Sequence, residues 1–299
     1  MNEYHVPALL SECLEGLNIQ QNGTYVDVTF GGGGHSRAIL KKLNEGRLIA
    51  FDQDSSSITN KIVDTRFELV HQNFKYLNSF LKLMGAPKVD GILADLGVSF
   101  HQFDTADRGF SIRNSGPLDM RMNQNNPTTA AKIINEYEEE ALKHIFRLYG
   151  ELKEAGRLAR KIIAARSEKP FKTTQDLVDV ADTMAPHTKK NQFLSKVFQA
   201  VRIEVNQELE TLQSLLEQAV DALHPGGRLV VISYHSLEDK LVKNYMKTGN
   251  FEGKINQDLY GNIIRPLTPI NRKVLMPSDE EIKLNPRSRS AKLRIAERT

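Results

Sequence analysis

The run Val26-Asp27-Val28-Thr29-Phe30-Gly31-Gly32-Gly33-Gly34-His35-Ser36 constrains this chain more than any other stretch. A β-branched, apolar segment ends in four consecutive glycines, and an amphipathic stretch carrying Ile39, Leu40 and Leu43 follows, stopped by Gly46. A strand turning abruptly into a helix is the junction at which open α/β sheets hold nucleotide-like ligands. Each glycine surrenders the most backbone entropy on folding, so four in a row are costly. They make sense where the main chain needs positive φ and a ligand needs to lie directly against it.

The glycine pattern narrows the ligand. A dinucleotide fingerprint needs a glycine at its sixth position, where the frames from Gly31 and Gly32 hold Ser36 and Arg37. A P-loop ends in Gly-Lys-Ser/Thr, and no lysine occurs before Lys41. An acid in the strand, Asp27, followed by Gly-x-Gly-Gly resembles motif I of class I S-adenosylmethionine (AdoMet) methyltransferases. AdoMet offers an adenosine, a sulfonium cation and a zwitterion but no phosphate, which suits a carboxylate beside a bare turn. A ligand-free glycine loop is the competing explanation, because short glycine motifs mislead often. Two further strands argue against it. Gly46–Asp52 closes on an acid roughly twenty residues past the turn, where a βαβ nucleotide fold places the carboxylate for the ribose hydroxyls. Val89–Gly97 is a buried run that closes on Asp95. Ligands bind outside the carboxyl ends of parallel strands, and Asp27, Asp52 and Asp95 all fall at or near such ends.

Around these strands the pattern predicts a helix from Val6 to Leu17, another from Ser55 to Val63, and a short strand Phe67–His71 followed by Phe74. Phe74 is either core or a stacking surface for adenine. From Arg108 to about Val205 no strand is recognisable. A glycine- and proline-punctuated loop is followed by helical stretches at Glu138–Tyr149, Glu151–Arg166, Thr174–Met184 and Phe193–Val205. The βα alternation then resumes with a helix Gln207–Leu223, a Pro225-Gly226-Gly227 turn, strand Gly227–Ser233, helix Tyr234–Lys247 and a closing strand Ser290–Ala296. The domain reading is therefore a discontinuous α/β core, 1–107 with 206–299, interrupted by an inserted all-helical domain, 108–205.

Composition sets the remaining bounds. With 299 residues, 40% hydrophobic and 26% charged, the chain reads as a soluble globular protein of one large domain or two smaller ones. It has no apolar run of membrane-spanning length, no signal-peptide pattern at the N-terminus and a single cysteine, Cys13. A cytoplasmic protein without a disulfide framework is expected. The net charge of +3 is mild, so any nucleic-acid surface would be local. No metal-ligand spacing occurs, and metal independence is expected.

Six stretches, in order and spanning nearly the whole chain, closely resemble the bacterial enzymes that methylate a cytosine N4 in small-subunit (16S) ribosomal RNA, the MraW type. They are Val26–Ser36, Asp90–Ser99, Arg108–Met122, Phe198–Leu209, Ile232–Lys240 and the basic tail Asn285–Thr299. The resemblance implies a class I AdoMet-dependent, Rossmann-like core with a helical insertion. It also implies AdoMet contacts at Gly33, Gly34, His35, Asp52, Phe74, Asp95 and Gln102, beside Asp27 and Gly31 from the residue reading. One departure is Phe100-His101, where members often carry Ser-Pro before the glutamine, and it bears on the Gln102 contact.

The implied reaction is an in-line displacement in which the cytosine amino nitrogen attacks the cofactor's methyl carbon. Alignment of such reactants is worth about 7–11 kcal/mol of barrier. Acceptors at Asp95 and at main-chain carbonyls such as Leu96 would turn the amino lone pair towards the methyl group. Tyr234 and His235, after the fifth strand, are the other catalytic candidates, as a flat surface for the extruded base or as a proton acceptor. A loop histidine with a structural hydrogen bond is the plainer reading of His235. RNA contacts are expected from Arg108, Arg113 and Arg121 in the loop and from Arg157, Arg160 and Lys161, with Lys153, on one helix side. A solvated helix face accounts for that stripe equally well. The tail arginines are a third candidate. The expected partner is the small subunit or its RNA, with no membrane and a monomer or homodimer as the working form. Two alternatives stay open at this point: a methyltransferase of the same fold acting on DNA, protein or a small molecule, and a non-enzymatic RNA-binding assembly factor.

Overall fold

The computed structural model describes residues 7–299 and contains one seven-stranded sheet in the order β3-β2-β1-β4-β5-β7-β6. The strands are β1 (Thr24–Asp27), β2 (Arg47–Asp52), β3 (Phe67–His71), β4 (Val89–Asp95), β5 (Leu223–Ser233), β6 (Leu267–Pro269) and β7 (Lys292–Arg298). The first five lie parallel, and β7 runs antiparallel to both β5 and β6. Alternation decides which face each side chain covers. Leu48, Ala50, Leu93, Val230 and Ile232 join one apolar cluster, whereas Ile49, Phe51, Ile92, Ala94, Leu229 and Val231 join the other. Both faces are covered, which is why these strands read as near-continuous hydrophobic runs.

The helices are α1 (Leu10–Leu17), α2 (Gly34–Leu40), α3 (Leu77–Leu83), α4 (Phe100–Asp104), α5 (Ala130–Glu136), α6 (Glu139–Leu148), α7 (Ala155–Glu168), α8 (Thr174–Asp182), α9 (Lys190–Asn206), α10 (Glu208–Ala222), α11 (Ser236–Thr248) and α12 (Asp279–Leu284). No described helix is long and apolar enough to cross a membrane. The chain divides into two compact units, one formed by the chain up to Gly97 with Leu209–Thr299, the other by Val98–Glu208. The second unit is helical, with no strand among its described residues, and has its own apolar core. It begins earlier than Arg108. The loop expected to open the insertion is already anchored in that core by Phe110, Leu118, Met120 and Met122, with Val98 packed against it.

Several expected elements differ in detail. Val6, the expected start of the first helix, lies outside the described residues, and α1 begins only at Leu10, after Leu9 adopts a positive φ. The helix expected over Ser55–Val63 is a 3-10 turn at Ser55–Asn60, capped by Asp54, in a serine-rich stretch of weak α propensity. Strand β5 starts at Leu223 because Pro225-Gly226-Gly227 is a shift in the β4–β5 register rather than a turn before the strand. Helix α7 starts at Ala155, not Glu151, whose φ is positive, so Lys153 precedes the helix. Helix α5 was not expected; its signal is Thr129, whose hydroxyl caps it by accepting from Lys132 N–H.

Candidate functional site

Strands β2, β1 and β4 are neighbours, and their carboxyl ends carry Asp52, Asp27 and Asp95 respectively. Connections diverge to opposite sides of β1 here, which makes this the switch point of the sheet. Asp27 is buried and accepts from Ser36 Oγ (2.7 Å) and from Thr29 N–H (3.1 Å). Burial pushes its carboxyl up from the usual range, and the Ser36 hydroxyl pulls in the opposite direction.

The glycine turn is tied to the second carboxylate. Gly31 N–H donates to Asp52 Oδ2 at 2.7 Å, and Asp54 N–H donates to Oδ1 at 2.8 Å. Burial raises Asp52 to about 6 despite these donors. Gly31 and Gly33 have positive φ, as the sequence requires of such a turn. A Cβ on Gly33 would stand 2.9 Å from the Phe30 ring, one on Gly34 would strike Pro7, and one on Gly32 would meet nothing. Three glycines are therefore dictated by geometry, and the fourth is not. Phe74 follows β3 in a 3-10 turn at the same end of the sheet, half-buried against the core.

Asp95 is held by partners from three different segments. The Tyr234 hydroxyl donates to Oδ1 at 2.8 Å, His35 Nδ1 stands 3.7 Å from Oδ2, and the Asp95 main-chain N–H donates to Thr29 Oγ1 at 2.7 Å. The register explains this, since Asp95 pairs with Ile232 and Tyr234 leaves β5 two residues later. Burial lifts Asp95 to about 6, opposed first by the His35 ring and then by the Tyr234 hydroxyl. Burial, followed by the Asp95 charge, drives the Tyr234 phenol upward, so it remains a donor. The buried His35 ring has Nε2 3.2 Å from Ala8 O and Nδ1 towards Asp95, so it braces the crevice from within.

His235 carries the structural hydrogen bond of its plainer reading. It is the N-cap of α11, where its Nδ1 accepts from Glu238 N–H at 3.5 Å, while Nε2 lies 3.2 Å from Glu238 Oε1 without making a hydrogen bond. The buried Glu238 carboxylate in turn accepts Tyr234 N–H at 2.9 Å. Glu238 and Thr29 are thus the supporting residues that sequence reasoning missed. The spacing His235-x-x-Glu238 follows the capping-box pattern, which was the available signal. The same pattern occurs at Ser99-x-x-Gln102, where Gln102 Oε1 accepts from Ser99 N–H at 3.0 Å and Ser99 Oγ accepts from Gln102 N–H. Gln102 belongs to the helical unit and caps α4 there, whereas Asp27, Gly31, Gly33, Gly34, His35, Asp52, Phe74, Asp95, Tyr234 and His235 all belong to the sheet unit.

The expected RNA contacts separate into two groups. Arg108 is only 6% exposed, and its guanidinium donates to the carbonyls of Arg121 and Met122. Arg121 pairs with Asp119 through two hydrogen bonds and donates to Gln124 and Asn126 carbonyls. Both guanidinium groups are engaged within the loop, which they hold together. Lys161 donates to Thr183 Oγ1 at 2.7 Å. Arg113, Arg157 and Arg160 remain exposed, Arg160 with Glu139 3.9 Å away. In the tail, Arg294 pairs with Asp239, and Arg298 donates to Val220 and Pro266 carbonyls.

Against known proteins, the model of the MraW methylase family matches residues 2–299. A protein of Amoebophilus asiaticus named ribosomal RNA small subunit methyltransferase H is 54% identical over 298 residues, covering 99% of this chain and 96% of its own length. Proteins of the same name from Parabacteroides distasonis (55% over 297 residues) and Bacteroides thetaiotaomicron (54% over 296) each cover 99% of this chain and 97% of their own.

Proposed function

The chain belongs to the MraW methylase family, and from that premise we propose residue roles for its strand-end crevice. The enzyme is an AdoMet-dependent methyltransferase that modifies the exocyclic N4 of a cytidine in small-subunit ribosomal RNA. Its similarity along the full length of proteins named for that RNA sets aside DNA, protein and non-enzymatic readings.

The observation that carries the assignment of roles is the alignment of Asp52, Asp27 and Asp95 on adjacent strand ends around a turn that admits no Cβ at Gly33. Such a cradle fits AdoMet: the turn lets a ligand approach the main chain, and buried carboxylates suit a cation. Bound there, AdoMet supplies an electrophilic methyl group already activated by positive charge. Asp52 is placed to accept the ribose hydroxyls, Asp27 to hold the turn through Ser36, and Phe74 to offer an apolar face for adenine. Asp95, with one oxygen fixed by Tyr234, accepts from the cytosine amino group and, with the Leu96 carbonyl, orients its lone pair. Tyr234 keeps Asp95 in place and offers its ring to the extruded base. His235 acts through the backbone, capping α11 so that Glu238 can hold Tyr234.

Arg113, Arg157 and Arg160 are the insertion's proposed phosphate contacts, and a substrate assembled in the cytoplasm puts the enzyme there. The deciding experiment offers purified protein and labelled AdoMet to small subunits and to naked RNA, then maps the modified base. N4-methylcytidine at one position is the expected result; labelling of another atom or none would reject the reading.

A further inference from the structure

Beyond α11 the chain forms a small hairpin that the crevice does not use. Ile264 N–H donates to Asn256 O, Asp258 N–H to Asn262 O, and Gln257 bridges to Ile263. Its tip is tightly braced. Asp258 Oδ1 accepts from the N–H groups of Tyr260 (2.8 Å) and Asn262 (2.9 Å), Oδ2 accepts from Asn262 Nδ2, and Gly261 takes a positive φ. These donors also hold the Asp258 carboxyl below its usual range. The rigid turn displays Leu259, fully exposed, and Tyr260, 91% exposed. Turn tips ordinarily carry small polar residues, so a braced tip showing a leucine and a tyrosine is prepared for contact.

Cations gather at the base of the same hairpin. Lys254 and Arg265 stand on its two arms, and Arg265 Nη1 donates to the carbonyl of Lys247 in the last turn of α11. Lys247 and Lys254 are exposed; Glu252 is the nearby acid, and Asp258 is engaged in the turn. An exposed aromatic ring above a cluster of cations matches the chemistry of unpaired RNA, whose bases stack on the ring while phosphates meet Lys and Arg. Helix α11 has 13 residues, so its hairpin end lies about 20 Å from the Tyr234–His235 end. A ligand touching both is therefore large.

We propose that the hairpin over 254–265 is a second RNA-docking element, in which Tyr260 stacks on an unpaired base of the small-subunit RNA while Lys247, Lys254 and Arg265 meet its phosphates. This rests on the assignment of that RNA as substrate. The test uses the full chain and its Y260A, Y260F and K254A variants. Affinity is measured for small subunits and for protein-free small-subunit RNA, with AdoMet binding by calorimetry as the control. Y260A is expected to weaken binding to both about tenfold, Y260F to restore it, and K254A to reduce the salt slope by about one. AdoMet affinity should not move in any variant. Unchanged RNA affinity in Y260A would overturn the proposal. So would a loss on subunits that is absent on protein-free RNA, since that would make the partner a ribosomal protein. If the unmodified enzyme yields no N4-methylcytidine, the functional reading fails separately, because the hairpin is judged by affinity alone.

Discussion

In the sheet unit, Asp27, Asp52 and Asp95 are sunk at strand ends and burial pushes all three carboxyls upward. In the helical unit, Arg108 is buried and Arg121 and Arg166 are half-buried, and each donates to main-chain carbonyls that the loop and helix ends leave over. Guanidinium groups keep their charge and five donors, so burying one among carbonyls staples a segment. A carboxylate buried without a cation is destabilised, a cost tolerable where a cationic ligand will later offset it. The same act of burial therefore leaves, in one unit, carboxylates that a cationic ligand would stabilise and, in the other, a structural staple.

The largest expected effect is at Asp95. Replacing it by Ala should abolish methyl transfer to small subunits, a loss of about a thousandfold or more, comparable with removing a main electrostatic contact in other active sites. Circular dichroism would establish that the variant folds, and normal turnover would remove Asp95 from the chemistry. Next comes the glycine turn. Gly33→Ala meets both a φ of +75° and the Phe30 ring, whereas Gly32→Ala meets nothing. The first should weaken AdoMet binding at least tenfold by calorimetry and the second should be nearly silent. Equal effects would mean that the backbone conformation does not shape the cradle.

Stability measurements break the comparison from the other side. Arg108→Met leaves two buried carbonyls without their charged donor, and the expected cost is about 2–3 kcal/mol in urea unfolding. Arg157→Met, at an exposed position, should change stability by less than about 0.5 kcal/mol. If Arg108→Met were silent in stability yet weakened RNA binding, the staple reading would be wrong.

Much of this was legible in the sequence because it depends on local pattern. The strand ends at Asp52 and the span Phe67–His71 follow from alternation and β-branched content, and the helical block between β4 and β5 from the change of period. What stayed hidden depends on long-range geometry. Nothing adjacent to Arg108 indicates that it will be buried, because its partners, the Arg121 and Met122 carbonyls, come to it only after the loop folds back. Thr29 acts through Asp95, sixty-six residues away, and no local rule reveals it. The capping boxes Ser99–Gln102 and His235–Glu238 are readable by spacing, yet resemblance points Gln102 to the cofactor, and the place of His235 after the fifth strand points it to the base or its proton. A backbone role and a ligand role use the same residue types.

The smallest effect sought is a titration. Asp52 and Asp95, both lifted to about 6 by burial, bind protons more readily folded than unfolded. Between about pH 4 and 6 the folded, ligand-free state thus holds the extra protons, so these two groups make stability fall as pH rises through that window. Cofactor binding has the opposite sign. A cationic ligand favours the ionised carboxylates, so AdoMet affinity should rise several-fold from pH 5 to 7 and level off above. Below pH 6, binding should release protons, which calorimetry in buffers of different ionisation enthalpy detects. Asp52→Asn should remove about half of that release while leaving the stability of the helical unit's staple, read through Arg108→Met, unchanged. A pH-independent affinity would place the cofactor away from these carboxylates, and the contrast between a ligand-awaiting charge and a structural one would then fail at its first unit.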